Sequence, residues 1–329
     1  MPSFWQQLAK PILALAPMEG YTDSAFRLLA REQGADVVYT EFVSSDAIAH
    51  RGKTALAKLT FDPAEQPVVA QIFGRDPAAF VTAAKEIERR GFAGLDLNFG
   101  CPARKVIGSG AGVALLRDPQ YARRLIESVL DVLTIPLSIK IRASIRAERR
   151  EVAPDTEQRH TALDLIEAIR DLPVATVMVH GRSFEQGFSG GLDVEMIRAV
   201  KQRFPGLVLA NGGLRTVEDV EHLLTATGAD GVGLARGALG CPWLFRQIRA
   251  YLSGRDVPEL SWPEIRAVAE RHARQAVAAK GGRGLTELRK HLAHYATGQP
   301  RAATLRARLV RAATLDDVRR TLAEVTVHA

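Results

Sequence analysis

Short apolar runs of strand length recur along the chain at 12–17, 37–42, 67–73, 94–99, 136–142, 176–181, 207–212 and 230–236. Their β-branched or unbroken apolar composition marks strands buried on both faces, the habit of parallel sheets. Between them lie stretches long enough for a helix, and six read as amphipathic helices: 24–33, 77–90, 119–133, 164–171, 193–204 and 216–227. Asp76 before Pro77 and Asp118 before Pro119 are cap-then-proline helix starts. Eight successive strand–helix units predict an α/β fold, a TIM (β/α)8 barrel. Beyond about residue 245 the strand signal stops, and 262–279, 285–295 and 302–325 read as helices with arginines on their polar faces. We therefore expect a catalytic barrel over 1–245 and a small all-α domain over 246–329, with a hinge near 254–258 and an internal turn at 298–300.

Charge sharpens that division. Residues 250–329 hold 14 Lys/Arg against 8 Asp/Glu, so +6 of the chain's net +7 is C-terminal. A basic appendage on a neutral body suggests a polyanion held by one part while another acts on it, the alternative being a solvated helical surface that favours arginine. The two cysteines, Cys101 and Cys241, form no CxxC or Cys/His spacing, which argues against a disulfide framework and a metal site alike. The opening ten residues lack the basic-then-apolar order of a secretion signal, and no stretch reaches membrane-span length. The expectation is a cytoplasmic protein without membrane contact.

In a TIM barrel the chemistry collects at the carboxyl ends of the strands. Those positions carry Met18 and Glu19, Glu41, Gln71, Asn98 and Cys101, Lys140 and Arg142, His180 and Arg182, Asn211-Gly212-Gly213, and Ala235-Arg236-Gly237. Burying such a set without a ligand is costly. The last two groups match the phosphate site that barrels build after strands seven and eight, with glycine allowing close backbone approach and Arg236 meeting the anion. Lys140 and Arg142 on one strand face call for an anion, which the pyrimidine edge of a reduced flavin supplies, and Gln71 can bond the same ring. No GxGxxG or Walker loop is present, so a resident dinucleotide is not expected. Cys101 taken alone reads as a small buried filler, the usual fate of a free cysteine, and His180 can serve flavin or substrate, with a structural histidine as the alternative. Glycines 108, 110 and 112 suggest a mobile active-site loop over 102–118.

At these residues the chain resembles the tRNA-dihydrouridine synthases, bacterial FMN-dependent enzymes that reduce selected tRNA uridines with electrons from NADPH. Ala16-Pro-Met-Glu-Gly-Tyr-Thr-Asp23 is similar to the family's opening flavin-contact motif, and Asp96-Leu-Asn-Phe-Gly-Cys-Pro-Ala-Arg-Lys-Val106 to its catalytic segment. Ser138-Ile-Lys-Ile-Arg142, Val179-His-Gly-Arg182, Ala210-Asn-Gly-Gly213 and Leu234-Ala-Arg-Gly-Ala238 follow in the family's order. The bacterial branch ending in Pro242-Trp-Leu-Phe245, with a later Arg289-Lys290-His291, is the nearest pattern. The resemblance implies FMN contacts at Pro17, Met18, Glu19, Gln71, Lys140, His180, Asn211, Gly212, Gly213, Ala235 and Arg236. It implies substrate contacts at Asn98, Lys105, Arg142, Arg182, Arg289 and Lys290. Cys101 would be the proton donor, with hydride from the reduced flavin, and a cysteine of ordinary pKa near 8.5 is mostly protonated at neutral pH. It implies tRNA as partner and NADPH as transient reductant. No protein partner is implied, and RNA bound to one extended face is compatible with a monomer.

Phe99 and Ala235 depart from the commoner pattern without removing a donor side chain, and the charged segment 144–158, with Arg146, Arg149 and Arg150, reads as an RNA contact or a solvated loop. Two other readings compete. A small-molecule flavin oxidoreductase acting on free pyrimidines explains the barrel but not the basic C-terminal region. An RNA-binding scaffold that has lost catalysis explains the charge but not the intact strand-end set.

Overall fold

The structure, a computed structural model, describes residues 3–147 and 158–324. Eight parallel strands close into a barrel: β1 (Ile12–Leu15), β2 (Val37–Tyr39), β3 (Val68–Phe73), β4 (Gly94–Phe99), β5 (Leu137–Arg142), β6 (Thr176–His180), β7 (Leu207–Asn211) and β8 (Gly231–Leu234). Each pairs with its sequence neighbour, and β1 pairs with both β2 and β8, which removes every free edge. Eight helices follow the strands in turn: α1 (Ser24–Glu32), α2 (Ser45–Ala49), α3 (Pro77–Arg89), α4 (Pro119–Leu130), α5 (Ala162–Ile169), α6 (Val194–Arg203), α7 (Val217–Thr227) and α8 (Leu244–Leu252). The aspartates before Pro77 and Pro119 do cap their helices, accepting from Ala78 and Ala79 in one case and from Tyr121 in the other.

Two layers of apolar side chains hold this arrangement. Inside the barrel, Ile12, Ala14, Val37, Tyr39, Val69, Met178 and Leu209 pack together and Trp5 closes one end. Outside, a continuous core joins the strands to the helices and includes Phe26, Phe80, Ile87, Leu125, Ile166 and Ile197. Leu244, Phe245 and Ile248 of α8 belong to that same core. The division expected between 245 and 246 thus falls inside the eighth barrel helix, because strand periodicity ends one helix before the barrel does. We place the division in the 253–261 connection.

Beyond it, Trp262–Tyr295 (α9) is helical throughout except at Gly281, with φ 58° and ψ −145°, where the chain turns. Its second half folds back on its first, so that His272 Nδ1 lies 3.1 Å from Tyr295 Oη. The helix expected over 302–325 is instead two, α10 (Ala302–Leu309) and α11 (Leu315–Ala323), with Thr314 and Asp317 forming a capping box that starts the second. Residue 325 lies outside the described residues. These helices share an apolar core of their own, including Trp262, Leu288, Leu292, Leu309 and Leu322. They dock on α1, where Phe26 lies against the rings of His272 and His291 and where Arg271 and Lys280 pair with Glu32 and Asp23. No helix among the described residues is long and apolar enough to cross a membrane.

Candidate active site

Alternation along β4 turns Asp96 and Asn98 to the barrel interior, because successive strand residues face opposite ways. Asp96 is fully buried and accepts from Ser138 Oγ at 2.6 Å and from Gln71 Nε2 at 2.7 Å. Gln71 in turn accepts from Asn98 Nδ2 at 2.9 Å, and Asn98 Oδ1 accepts the backbone N–H groups of Gly100 and Cys101 at 3.1 and 2.8 Å. Asn98 therefore braces the turn that carries Cys101. Burial holds the Asp96 carboxyl up at about 6 in spite of those donors and of nearby Lys140.

Cys101 is 8% exposed, a free thiol against Val106 and Ala111. Burial raises its pKa and outweighs the pull of Ala103, Arg142 and Lys140, so the thiol is protonated at neutral pH. The following segment is more folded than its glycines suggest: Arg104–Gly108 is a short helix and Gly112–Arg117 a 3-10 helix. Gly112 adopts φ 62°, and an added Cβ there would come 2.8 Å from the Val106 side chain and 2.9 Å from Cys101 O, so glycine here serves close packing over the cysteine. Lys105 stands exposed on the short helix, outside the strand-end cluster.

Beside the Cys101 turn, beginning on the neighbouring strand β5, lies a cluster of positive charge. Lys140 Nζ donates to Asn211 Oδ1 at 3.1 Å, and Asn211 Nδ2 donates to Gly233 O. Burial and the neighbouring Arg142 push Lys140 down to about 8, and burial brings Arg142 to about 10. His180 falls to about 2 through burial and through Lys140, Arg142, Arg182 and Arg236 around it, so its imidazole is neutral. Gly212 and Gly213 follow at φ 119° and 71°, and an added Cβ on Gly212 would come 2.7 Å from Leu192 and 3.2 Å from the His180 ring. Ala235, at φ −126° and ψ −110°, precedes Arg236 at the end of β8.

Among the described residues none of Lys140, Arg142, Arg182 and Arg236 forms an ion pair with a carboxylate. His180 Nδ1 and Arg182 Nη1 are buried without a partner. An unpaired buried guanidinium N–H and mutually repelling cations mark a site shaped for an anion. No group of His, Cys, Asp and Glu among the described residues is arranged to hold a metal ion.

Sequence reasoning missed the cover over this cluster. Carbonyls of the segment 183–191 meet three of its arginines: Ser183 O and Gly187 O accept from Arg142, Gly190 O from Arg182, and Phe188 O from Arg236. Phe188 is 58% exposed and lies over both the Arg142 and Arg236 guanidinium groups. The visible signal was glycine at 187, 190 and 191 around an aromatic. Arg142 also donates to Gly100 O at 3.0 Å, tying the cover to the Cys101 turn.

The remaining expected residues divide. Pro17 and Met18 sit half-buried at the end of β1, whereas Glu19 turns outward to Lys58. Glu41 lies beyond the end of β2 and accepts from the Gly20 N–H. Lys290 reaches the β1 loop, its ammonium over the Tyr21 ring at 5.2 Å. Arg289 does not; its Nε and Nη2 both donate to Ala312 O within the helical region. Arg146 belongs to the hairpin Ser144–Arg146 with Arg159–Thr161, and Arg149 and Arg150 lie outside the described residues.

Comparison with known proteins agrees in sequence and in fold. The family model described as dihydrouridine synthase matches residues 14–329. tRNA-dihydrouridine synthase B of Pseudomonas aeruginosa is 32% identical over 91% of this chain and 88% of its own. A probable tRNA-dihydrouridine synthase of Rhodobacter capsulatus is 35% identical over 93% and 91%. Among solved structures, histamine dehydrogenase from Rhizobium superposes with a TM-score of 0.54 at 14% identity, over 80% of this chain and 48% of that one. 6-Hydroxypseudooxynicotine amine oxidase from Pseudomonas geniculata gives 0.57 at 15% identity, over 82% and 52%. The chain spans about half the length of these two structures, which show the likeness of fold alone.

Proposed function

Since the chain belongs to the dihydrouridine synthase family and is an oxidoreductase acting on uridine in tRNA, we propose that it binds FMN at the barrel mouth, takes electrons from NADPH and protonates the uracil from Cys101. The observation that carries this reading is the cluster of Lys140, Arg142, Arg182 and Arg236 without a carboxylate ion pair among the described residues, with Arg182 Nη1 and the neutral His180 Nδ1 buried and partnerless, beside a protonated thiol. When bound, the flavin supplies hydride to one carbon of the uracil 5,6 double bond.

Gly212, Gly213, Ala235 and Arg236 would hold the phosphate, with backbone approach allowed by the two glycines. Pro17, Met18, Gln71, Lys140, His180 and Asn211 would hold the ring, Lys140 supplying positive charge beside it; Glu19, engaged by Lys58, is left out of that set. Arg142 and the remaining Asn98 amide hydrogen face the place where the base would sit, and Arg182 stands beside them. Donors near the uracil carbonyls stabilise the enolate that forms, and the Cys101 thiol delivers its proton to the other carbon. The base would have to leave its stack to reach so buried a thiol, and Phe188, exposed over the Arg142 and Arg236 guanidinium groups, would offer it an aromatic face. Lys105, exposed on the short helix after β4, Lys290 at the β1 loop, and the basic helices beyond residue 261 would meet the phosphates of tRNA. Arg289 would act indirectly, by fixing the α10–α11 connection. The protein would work as a monomer in the cytoplasm.

Reduction of purified, FMN-loaded protein by NADPH under nitrogen, followed by unmodified tRNA, tests the reading. The expected result is flavin bleaching, then recovery of colour with dihydrouridine formed in the tRNA and with rates that fall as salt rises. Recovery equally fast with free uridine, insensitive to salt, would favour a small-molecule oxidoreductase.

A further inference from the structure

The buried chain of side chains below Cys101 has a fixed polarity. Backbone N–H groups can only donate, so Asn98 must turn its Oδ1 to Gly100 and Cys101, which leaves Nδ2 for Gln71. Gln71 must then accept through Oε1 and donate through Nε2, which requires an acceptor beyond it, and Asp96 supplies that acceptor. Every member is at most 6% exposed, so water does not substitute for a missing partner. Ser138 holds the far carboxylate oxygen in place.

We propose that Asp96 is a positioning residue that, through Gln71 and Asn98, sets the turn presenting the Cys101 thiol to the uracil. Without an acceptor at 96, Gln71 is free to rotate its amide, its NH2 group then opposes that of Asn98, and the Asn98 brace on the turn is lost. The inference rests on Cys101 being the proton donor.

The test compares Asp96→Ala, Asp96→Asn and Cys101→Ala in FMN-loaded protein by rapid mixing, with peptide-resolved alkylation of Cys101 by iodoacetamide as a second readout. Asp96→Ala is expected to slow oxidation of the reduced enzyme by tRNA about 10- to 100-fold, the scale of an ångström misplacement. Reduction by NADPH should stay within about threefold and the Cys101 alkylation rate should change. Asp96→Asn should restore both, since its Oδ1 still accepts from Gln71 while Ser138 Oγ turns its proton to Leu95 O, already 3.4 Å away. A wild-type oxidative rate in Asp96→Ala overturns the inference, as does equal slowing of both half-reactions in both variants, which marks a core role only. Should Asp96→Ala not fold, Asp96→Leu, which fills the same buried space and offers no acceptor, carries the test. Slowing of the oxidative half-reaction alone supports the inference, and a wild-type oxidative rate or equal slowing of both half-reactions overturns it. If Cys101→Ala runs at full speed, the proton-donor reading fails whatever Asp96 does.

Discussion

Lys140 gives the cofactor site a pH dependence whose size follows from its surroundings. Its ammonium sits at about 8 in the cofactor-free protein, lowered by burial and by Arg142 from an ordinary 10.5. If FMN binds the charged form, the apparent dissociation constant scales as 1 + 10^(pH − 8), which is about 1.1 at pH 7 and about 11 at pH 9. FMN affinity should therefore weaken about tenfold between those values, and Lys140→Met should bind FMN more weakly at pH 7 with no such slope. The sign for stability is opposite. Between about 8 and 10.5 the unfolded chain binds the proton that the native protein has released, so the stability of cofactor-free protein rises with pH across that window. The rise is at most about 3 kcal/mol, reduced by the partial exposure of the ammonium. Fluorescence titration of cofactor-free protein with FMN from pH 7 to 9.5, with circular dichroism to confirm the fold, measures the first effect. A flat wild-type profile, or a Lys140→Met profile with the wild-type slope, refutes the reasoning.

Further expectations concern both the site and its support. Gly212→Ala should release FMN readily on dilution, because φ 119° and the nearby Leu192 and His180 leave no room for a methyl group; the strain is about 1–3 kcal/mol, and a wild-type flavin content after gel filtration would contradict it. Arg27→Ala should cost about 3–5 kcal/mol in a urea melt, since it strands the fully buried Glu65 that Arg27 Nε meets at 2.6 Å; a loss below about 1 kcal/mol would show that Ser24 and the chain around Glu65 suffice. His272 lies at about 4 and His291 well below its ordinary value, both through burial between the barrel and the C-terminal helices. The unfolded chain takes up these protons first, so stability should fall as pH drops from 6.5 toward 4, by about 2 kcal/mol at pH 5 from His272 alone. Urea midpoints measured in that range for wild type and His272→Asn should converge at low pH, and parallel curves would refute the assignment.

The barrel was legible in the sequence because its strands are buried on both faces and read as unbroken apolar runs, whatever the length of the connections. Its boundaries were less so. The eighth helix carries the same amphipathic pattern as the helices beyond it, and only its packing in the barrel core separates them. The break at 310–314 turned on Thr314 and Asp317, a capping box inside an arginine-rich stretch that keeps helical periodicity on both sides. At the site, residue type and strand-end position located Cys101, Gln71, Lys140 and His180. They did not reveal that Asn98 spends its carbonyl oxygen on two backbone amides, that Arg289 faces Ala312, or that glycine-spaced carbonyls at 183–191 cover the arginines. Those are backbone contacts between segments distant in sequence, and no spacing encodes them.

The central claim is that a buried, protonated Cys101 thiol supplies the proton to uracil. Single-turnover oxidation of reduced, FMN-loaded Cys101→Ala by tRNA tests it most directly, beside reduction of the same variant by NADPH. The account predicts normal flavin content, reduction at the wild-type rate, and re-oxidation by tRNA slowed by about 10²–10⁴-fold. Re-oxidation by tRNA at the wild-type rate, with dihydrouridine formed, would contradict it.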